Sequence, residues 1–268
     1  MLSELMRPAW DAPATVGAAM STRQGGVSRT PFDSLNLRPA ALPGDVSDDT
    51  GAIAENQRRF AETLGAQPVY LNQVHGADVV RLQGPAQAGQ FQRADASVTT
   101  VPGLACTVLV ADCLPVLFCS DDGRAVAAAH AGWRGLAAGV LENTVLALCD
   151  AAACAPRRLL AWLGPCIGPR QFEVGADVLA AFGEDVDCFI ARARADGSPR
   201  WRADLPALAR RRLAAAGVLR VQGGQWCTVE DPLRFFSYRR DGVTGRLAAA
   251  VWLEPRPHGA RAAAPASP

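Results

Sequence analysis

Short apolar runs separated by turn-forming residues dominate the hydrophobic pattern of this chain. In the middle of the sequence, residues 104–111 and 115–120 are almost continuously apolar, and the turn Asp121-Asp122-Gly123 closes the second run. Such runs without strict alternation are typical of strands that are buried on both faces. The pattern predicts strands at residues 15–20, 68–72, 78–82, 96–99, 104–111, 115–120, 124–129, 159–163 and 246–253.

Helical spacing of apolar residues is found between these runs. Asp48 and Asp49 can cap a helix that extends to about Leu64, and Gly65 provides its C-terminal stop. Further helices are predicted at residues 134–148, near 176–182 and near 205–215. Because strands and helices are mixed without regular βαβ alternation, we expect an α+β fold that forms a single domain over residues 1–254. The remaining residues, 255–268, are rich in Pro, Ala, Arg and Ser, and we expect them to be disordered.

Composition narrows the chemistry that this domain can perform. The chain has 268 residues and a net charge of +1, so it lacks the basic surface that a nucleic-acid or membrane-surface binder needs. All 27 basic residues are Arg, which excludes a lysine Schiff base and a Walker-type lysine. Histidine occurs only three times, and His258 lies in the predicted disordered tail. Any histidine chemistry must therefore use His75 and His130.

The eight cysteines predict reduced thiols rather than a disulfide framework. The chain is longer than small disulfide-rich domains, and no two cysteines have the CxxC spacing of a zinc ribbon or thioredoxin-type site. The first residues do not resemble a secretory signal, and no run reaches the ~18 apolar residues of a membrane span. We therefore expect a cytoplasmic protein in which most cysteines are packing residues.

Three residues follow predicted strands in a way that suggests a site. His75 and His130 each lie near a glycine at the end of an apolar run, and Cys113 follows the apolar run that ends at residue 111. Brought together, they could hold a catalytic zinc through two imidazoles and one thiolate, or Cys113 could be a nucleophile activated by a histidine. Asp95 and Asp112 could orient a histidine or transfer a proton, although a solvated loop carboxylate is the ordinary role for each.

Anion recognition must use arginine, since lysine is absent. The candidates are Arg23 beside Gly25-Gly26, Arg134 at a predicted helix start, and the neighbouring pair Arg239 and Arg240. No P-loop and no GxGxxG motif supports nucleotide binding. The HxE and PCxxC motifs of the base-flipping deaminases are also missing.

Five ordered segments together resemble the laccase-domain or YfiH-type family. They are residues 72–76 (NQVHG), 107–115 (TVLVADCLP), 130–135 (HAGWRG), 163–168 (LGPCIG) and 236–246 (FSYRRDGVTGR). The resemblance extends from about residue 15 to 253 and implies one domain of mixed sheets with flanking helices, in a layered αββα-like arrangement. It also implies a metal, usually zinc, held by His75, Cys113 and His130. Arg23, in a TRxGGVS segment, is implied as a phosphate contact.

The implied activity is that of a purine nucleoside phosphorylase. The expected substrates are adenosine, inosine and S-methyl-5′-thioadenosine with phosphate, and adenosine deamination is an expected side activity. Two segments depart from the family pattern. Residues 40–45 (AALPGD) lack the usual histidine, and residues 227–231 read CTVED in place of the commoner CTxSD.

Three alternatives use the same residues or none of them. Older naming of the family implies a multicopper oxidase, but four coppers need roughly ten histidines, so phenol oxidation by copper bound in vitro would be a side activity. A hydrolase acting on an amide or a peptidoglycan precursor could use Cys113 as nucleophile, with His75 or His130 as base. A non-enzymatic interaction module would need neither a metal nor these three side chains.

Overall fold

The structure is a computed structural model that describes residues 2, 5–44, 48–85 and 89–255. Apart from Pro255, the tail predicted to be disordered, including His258, lies outside the described residues. The strands in chain order are β1 (Leu5–Met6), β2 (Val16–Ser21), β3 (Gln67–Val69), β4 (Val79–Leu82), β5 (Ala96–Thr99), β6 (Leu104–Val110), β7 (Leu114–Ser120), β8 (Val126–Ala131), β9 (Leu159–Leu163), β10 (Glu173–Val174), β11 (Phe189–Ala191), β12 (Trp201–Ala203), β13 (Arg220–Gly223) and β14 (Leu247–Leu253). The helices are α1 (Thr50–Leu64), α2 (Trp133–Ala137), α3 (Val140–Ala152), α4 (Ala176–Ala181), α5 (Leu205–Ala215) and α6 (Tyr238–Asp241).

Two large mixed sheets pack face to face, and helices cover their outer faces. The five-stranded sheet has the order β1-β2-β14-β6-β3, and the six-stranded sheet has the order β13-β9-β7-β8-β5-β4. A small third sheet has the order β10-β12-β11. Helix α1 packs on the five-stranded sheet, whereas α3 and α5 pack on the six-stranded sheet. The predicted α+β fold with a layered αββα arrangement is confirmed.

Strand β7 shows why the central runs are continuously apolar. Its residues Leu114, Val116 and Phe118 face the helices of the outer layer, whereas Leu117 and Cys119 face the other sheet. Both faces of the strand are thus buried, and no polar face is needed. Each fully buried large apolar side chain of this kind contributes about 1.5–3 kcal/mol of transfer free energy. A strand packed on both faces in this way forms a rigid base for the residues at its ends.

The local signals at helix α1 were interpreted correctly. The Asp49 side chain accepts a hydrogen bond from the Ala52 N–H at 2.7 Å, and Gly65 ends the helix in the left-handed region at φ 66°. The single helix predicted at 134–148 is wrong, because Gly139 has φ 93° and divides the segment into α2 and α3. A residue in this conformation cannot continue a right-handed helix.

The prediction also missed strands β1 and β10–β13 and the helix α6. These elements have only two to four residues each, too few to show a period. The strand predicted at 124–129 is Val126–Ala131, so His130 lies within a strand, opposite Pro115, rather than after one. No helix among the described residues is long and apolar enough to cross a membrane.

Candidate metal centre

The site is built where four chain segments meet at one end of the six-stranded sheet. Strand β8 is antiparallel to both β5 and β7, so its final residues lie beside the first residues of those two strands. Asp95 directly precedes β5, Cys113 directly precedes β7, and His130 is near the end of β8. Strand β4 is parallel to β5, and His75 lies in the loop before β4. The strand topology therefore brings these residues, which are distant in the sequence, to the same end of the sheet.

His75, Cys113 and His130 form a compact donor cluster. One ligand atom from each residue lies within 4.8 Å of the others, and the Cys113 Sγ is 3.7 Å from the His75 Nε2. The two imidazoles meet edge to face, with ring centroids 4.8 Å apart. His130 is buried, Cys113 is half-buried and His75 is exposed. The cluster thus reaches from the protein interior to the surface of a cavity.

The donor set fits a zinc ion. Tetrahedral zinc with Zn–S of about 2.3 Å and Zn–N of about 2.1 Å places sulfur and nitrogen roughly 3.6 Å apart. The 3.7 Å distance between Cys113 Sγ and His75 Nε2 is close to this value. Three protein ligands with a fourth position for water or substrate are the usual pattern of a catalytic zinc site. Among the described residues, no second group of His, Cys, Asp or Glu side chains has this arrangement.

Asp95 organises two of the three donors. Its Oδ1 accepts a hydrogen bond from the His130 Nδ1 at 2.8 Å, which directs the Nε2 of His130 toward the cluster. Its two carboxylate oxygens also accept from the backbone N–H groups of Val74, His75 and Gly76, at 3.0, 2.9 and 2.7 Å. These bonds hold His75 at φ 60°, a conformation that non-glycine residues rarely adopt.

The expectation that Asp95 and Asp112 are solvated loop carboxylates is wrong, because both are buried. Asp112 has φ 96° immediately before Cys113. Its Oδ1 accepts from the Thr228 hydroxyl, and its Oδ2 accepts from the Arg239 backbone N–H, both at 2.6 Å. Strained backbone that is held by several hydrogen bonds is typical of functional sites. The hydrogen bonds of Asp112 therefore fix the backbone next to Cys113, and with it the direction of the Cys113 side chain.

Charges within the cluster compensate one another. Burial alone would raise the pKa of Cys113, but the positive charge and hydrogen bond of His130, together with His75, lower it to about 6. Burial would lower the pKa of His130, but the Cys113 thiolate and Asp95 raise it to about 9. The pKa of Asp95 falls below its ordinary value, because the bonds from His130 and the backbone outweigh burial. Both shifts favour a thiolate beside an imidazolium when no metal is bound.

Two glycines of the HAGWRG segment allow this close packing. A Cβ atom on Gly132 would lie 2.8 Å from the His75 Cδ2 and 3.0 Å from the Cys113 Sγ. A Cβ atom on Gly135 would lie 2.7 Å from the Gly76 carbonyl oxygen. All three distances are shorter than normal van der Waals contacts, so the motif needs glycine at these positions to bring β8 and the His75 loop together.

The donor cluster opens into a cavity of about 840 Å³. This volume is typical of a site for a small organic molecule. Apolar walls come from Phe32, Ile53 and Leu71, and polar groups come from Asn72 and Gln73. The cavity therefore offers both a surface for a flat ring and hydrogen-bonding groups.

None of the four arginines predicted to bind an anion lines this cavity. Arg23 donates to the Asp33 and Pro232 carbonyls and pairs with the Asp33 carboxylate. The guanidinium of Arg134 is exposed and lies over the Trp133 ring at 4.4 Å. Arg239 donates to the Gln171 and Glu173 carbonyls. Arg240 donates to the Thr228 and Phe235 carbonyls and pairs with Asp241.

Arg38 and Arg246 line the cavity instead, together with Thr244. The sequence marks Arg246 only as the last residue of a family segment and does not mark Arg38 at all. Neither arginine lies in a phosphate-binding sequence motif, so the sequence does not distinguish them from the other arginines among the 27. Residues 42–44 of the segment that lacks the family histidine also line the cavity. The CTVED segment does not line it, although its Thr228 supports Asp112.

Comparison with known proteins agrees with this architecture. Residues 17–254 match the family model described as multi-copper polyphenol oxidoreductase laccase. The chain belongs to this family. It is 51% identical over 253 residues to a purine nucleoside phosphorylase of Pseudomonas aeruginosa, an alignment that covers 93% of this chain and 98% of that protein. It is 50% identical over 254 residues to the purine nucleoside phosphorylase YfiH of Escherichia coli, covering 94% of this chain and all of YfiH.

Solved structures of the same family share the fold. A Neisseria meningitidis protein with 44% sequence identity superposes with a TM-score of 0.84 and covers 94% of this chain and 99% of its own. The YlmD protein of Geobacillus stearothermophilus, at 30% identity, has a TM-score of 0.80 and covers 94% and 99%. The resemblance that the five sequence segments indicated is thus confirmed along nearly the whole domain.

Proposed function

We propose that this laccase-domain protein is a zinc-dependent purine nucleoside phosphorylase. Its substrates would be phosphate and the nucleosides adenosine, inosine and S-methyl-5′-thioadenosine, with adenosine deamination as a side activity. The observation that carries this proposal is the donor cluster of His75, Cys113 and His130, whose ligand atoms lie within 4.8 Å of one another beside a cavity of nucleoside size. The names of relatives that are about half identical support the same reaction class.

Phosphorolysis transfers the glycosyl group from the purine to phosphate. A phosphate oxygen attacks the anomeric carbon, the carbon–nitrogen bond to the purine breaks, and the departing base takes up a proton, giving the free purine and a sugar 1-phosphate. The apolar walls formed by Phe32, Ile53 and Leu71 suit a purine face. His75, Cys113 and His130 would hold the zinc, which when bound acts as a Lewis acid. Asp95 and the backbone bonds that it accepts keep the donors in place.

Phosphate-dependent release of adenine from adenosine tests this function. We expect the zinc-loaded protein to form adenine and ribose 1-phosphate in equal amounts, and only when phosphate is present. Chromatography of the purines and an assay of the sugar phosphate measure both products. Cys113→Ala should abolish the reaction, whereas Cys154→Ala, which removes a thiol outside the cluster and the cavity, should leave it unchanged. Full activity in Cys113→Ala would overturn the proposed role of the cluster.

Metal analysis of the purified protein tests the cofactor separately. We expect one zinc per chain, bound by the cluster and lost in His130→Ala. Copper bound at the same three donors would support phenol oxidation as an activity in vitro. Four coppers per chain would contradict the proposal. They are not expected, because four coppers need roughly ten histidines and the chain has only three.

A hydrolase that uses Cys113 as nucleophile is the second candidate. The specific observation in its favour is the Cys113 Sγ at 3.7 Å from the His75 Nε2, and the lowered pKa of Cys113 and raised pKa of His130 agree with it. A thiolate beside an imidazolium is the activated form of a catalytic cysteine. The expected substrate would be an amide, such as a peptidoglycan precursor. Hydrolysis that survives chelation of all metal but stops on alkylation of Cys113 would favour this candidate over phosphorolysis.

The unpaired thiols support the cellular compartment that we propose for the protein. The eight cysteines are all unpaired in the structure. We expect the protein to act in the cytoplasm, where thiols stay reduced, on small-molecule substrates and without nucleic-acid or membrane partners.

A further inference from the structure

We propose that Arg38, Arg246 and Thr244 form a binding site for inorganic phosphate in the cavity that contains the donor cluster. The three residues lie on the cavity wall with His75 and Cys113. The choice of phosphate among oxyanions rests on the proposed phosphorolysis, but the site itself is argued from its geometry and charge.

The buried amide of Asn36 places the two arginines next to each other. Its Oδ1 accepts hydrogen bonds from the backbone N–H groups of both Arg38, at 3.2 Å, and Arg246, at 2.9 Å. In addition, the Leu37 N–H donates to the Arg246 carbonyl at 3.1 Å. Asn36 is only 2% exposed, so this arrangement is protected from water. The pairing of Arg38 with Arg246 is therefore built into the fold and does not depend on flexible surface side chains.

Backbone carbonyls fix the direction of both guanidinium groups. The Arg38 Nη2 donates to the Leu42 and Pro43 carbonyls at 3.0 and 2.6 Å. The Arg246 Nη1 donates to the Thr244 and Gly245 carbonyls at 3.0 and 3.2 Å. Each guanidinium has five N–H donors, so several remain for a ligand. Orientation by carbonyls prepares an arginine for bidentate contact with an oxyanion without neutralising its charge.

The positive charge of this pair is only partly compensated within the part of the chain that the structure describes. Neither arginine forms an ion pair with a described carboxylate. Burial lowers the pKa of Arg38. Burial also lowers the pKa of Arg246, and repulsion from Arg38 lowers it further, whereas Cys113 and Asp112 act in the opposite direction. Holding two like charges together in a half-buried wall is unfavourable unless an anion binds between them.

The other polar groups of this wall agree with an anion site. The Thr244 hydroxyl is buried and has no hydrogen-bond partner among the described residues, so it can donate to a ligand oxygen. Two described carboxylates also line the cavity, Asp48 with its charge intact and Asp241 in an ion pair. The Asp48 Oδ2 accepts from the Asn36 Nδ2 at 3.1 Å, and Asp241 pairs with Arg240 at 2.7 Å.

Calorimetric titration of inorganic phosphate into the zinc-loaded protein tests the site directly. We expect phosphate to bind the wild-type protein and to bind Arg38→Met and Arg246→Met about 10- to 100-fold more weakly, the loss expected for hydrogen bonds to a charged group. Zinc content should be the same in all three proteins. Arg124→Met, which changes an exposed arginine outside the cavity, is the matched control and should bind like the wild type.

Thermal unfolding gives a readout that a merely structural role would not produce. Without phosphate, each Met variant loses a repulsive pair of charges but also leaves two backbone carbonyls without their guanidinium donor, so the unfolding temperature of each protein without phosphate serves as its own reference. With phosphate, the wild type should be stabilised and the variants should not. If the arginines only supported the structure, phosphate would raise the unfolding temperature of both variants by as much as that of the wild type.

Titration of AMP in parallel separates free phosphate from the phosphate of a nucleotide. If AMP binds through the two arginines while inorganic phosphate binds neither the wild type nor the variants, the proposal is wrong. Equal phosphate binding by the wild type and both variants would overturn it as well.

Phosphate binding and catalysis are measured separately, so that failure of the site and failure of the proposed function can be distinguished. Phosphate that binds this pair in a protein without phosphorolysis would leave the site standing and refute the function, whereas phosphorolysis with an unchanged KM for phosphate in both variants would do the reverse.

Discussion

The two polar ends of the cavity are constructed alike but differ in their charge. At the donor cluster, buried Asp95 accepts hydrogen bonds from two separate segments and holds His75 and His130. At the arginine pair, buried Asn36 accepts hydrogen bonds from two separate segments and holds Arg38 and Arg246. The cluster combines a thiolate and a carboxylate with one imidazolium, which leaves a net negative charge, whereas the pair has two positive charges and no described ion-pair partner. The net charge of the first end therefore suits a metal cation, and that of the second suits an anion.

This difference separates the roles of the supporting residues. Asp95 carries a charge that contributes to the cluster, since it raises the pKa of His130. Asn36 is neutral, so it positions the arginines without reducing their attraction for an anion. A carboxylate in its place would neutralise part of the site.

Removal of a metal donor should have the largest effect. We expect His130→Ala to lose most of its zinc and to lower kcat/KM for phosphorolysis by about 1,000-fold or more, because the ion has only three protein ligands. Metal analysis and steady-state kinetics measure the two effects. Phosphate binding by the arginine pair should change by less than about threefold, as expected for a separate site. A much larger loss of phosphate binding would show that the two ends act as one unit.

Asp95→Asn should weaken zinc binding about 10- to 100-fold, as is usual for the group that orients a ligating histidine. The amide offers one acceptor oxygen where the carboxylate offers two, so the His75 loop also loses part of its support. Competition with a chelator measures the affinity, and Asp187→Asn on the exposed surface is the control. Unchanged zinc affinity in Asp95→Asn would mean that the donors need no such support.

Alkylation of the metal-free protein should reveal the charge balance of the cluster. Since the pKa of Cys113 is about 6, its thiolate fraction and its rate of reaction with iodoacetamide should rise roughly tenfold between pH 5 and pH 7. His130, with a pKa of about 9, keeps the ion pair intact up to that pH. Peptide mass mapping follows each thiol. Buried Cys119, whose pKa is raised to about 12, should not react, and zinc should protect Cys113. A midpoint for Cys113 near its ordinary value would contradict the ion pair.

Asn36→Ala should have the smallest effect on catalysis, and only the arginine end of the cavity should be affected. We expect the KM for phosphate to rise about three- to tenfold, while zinc content and the KM for the nucleoside stay unchanged. Loss of a buried hydrogen-bonding group should also lower the free energy of unfolding by about 1–3 kcal/mol. Asn143→Ala, which removes an exposed hydrogen bond to the Ala77 carbonyl, provides the comparison. A rise in both KM values together would argue against separate ends.

The sequence by itself determined the layered α+β fold and the three donor residues. Short continuous apolar runs that are bounded by turn residues are typical of strands buried on both faces, and such strands require layers on each side. The donors were recognisable because histidine is rare here and because zinc accepts few types of ligand. The ends of helix α1 were also predicted correctly, since capping depends on residues that are adjacent in the chain.

Only the tertiary structure decided which polar residues support the site and which arginines face the cavity. Asp95 and Asp112 have no sequence mark that separates them from solvated carboxylates, and their burial depends on segments far away in the chain. Arg38 and Arg246 are two of 27 arginines, and most of the others that we considered are satisfied by nearby carbonyls and carboxylates. Whether a charge is neutralised depends on its neighbours in space, and those neighbours are chosen by folding rather than by residue type.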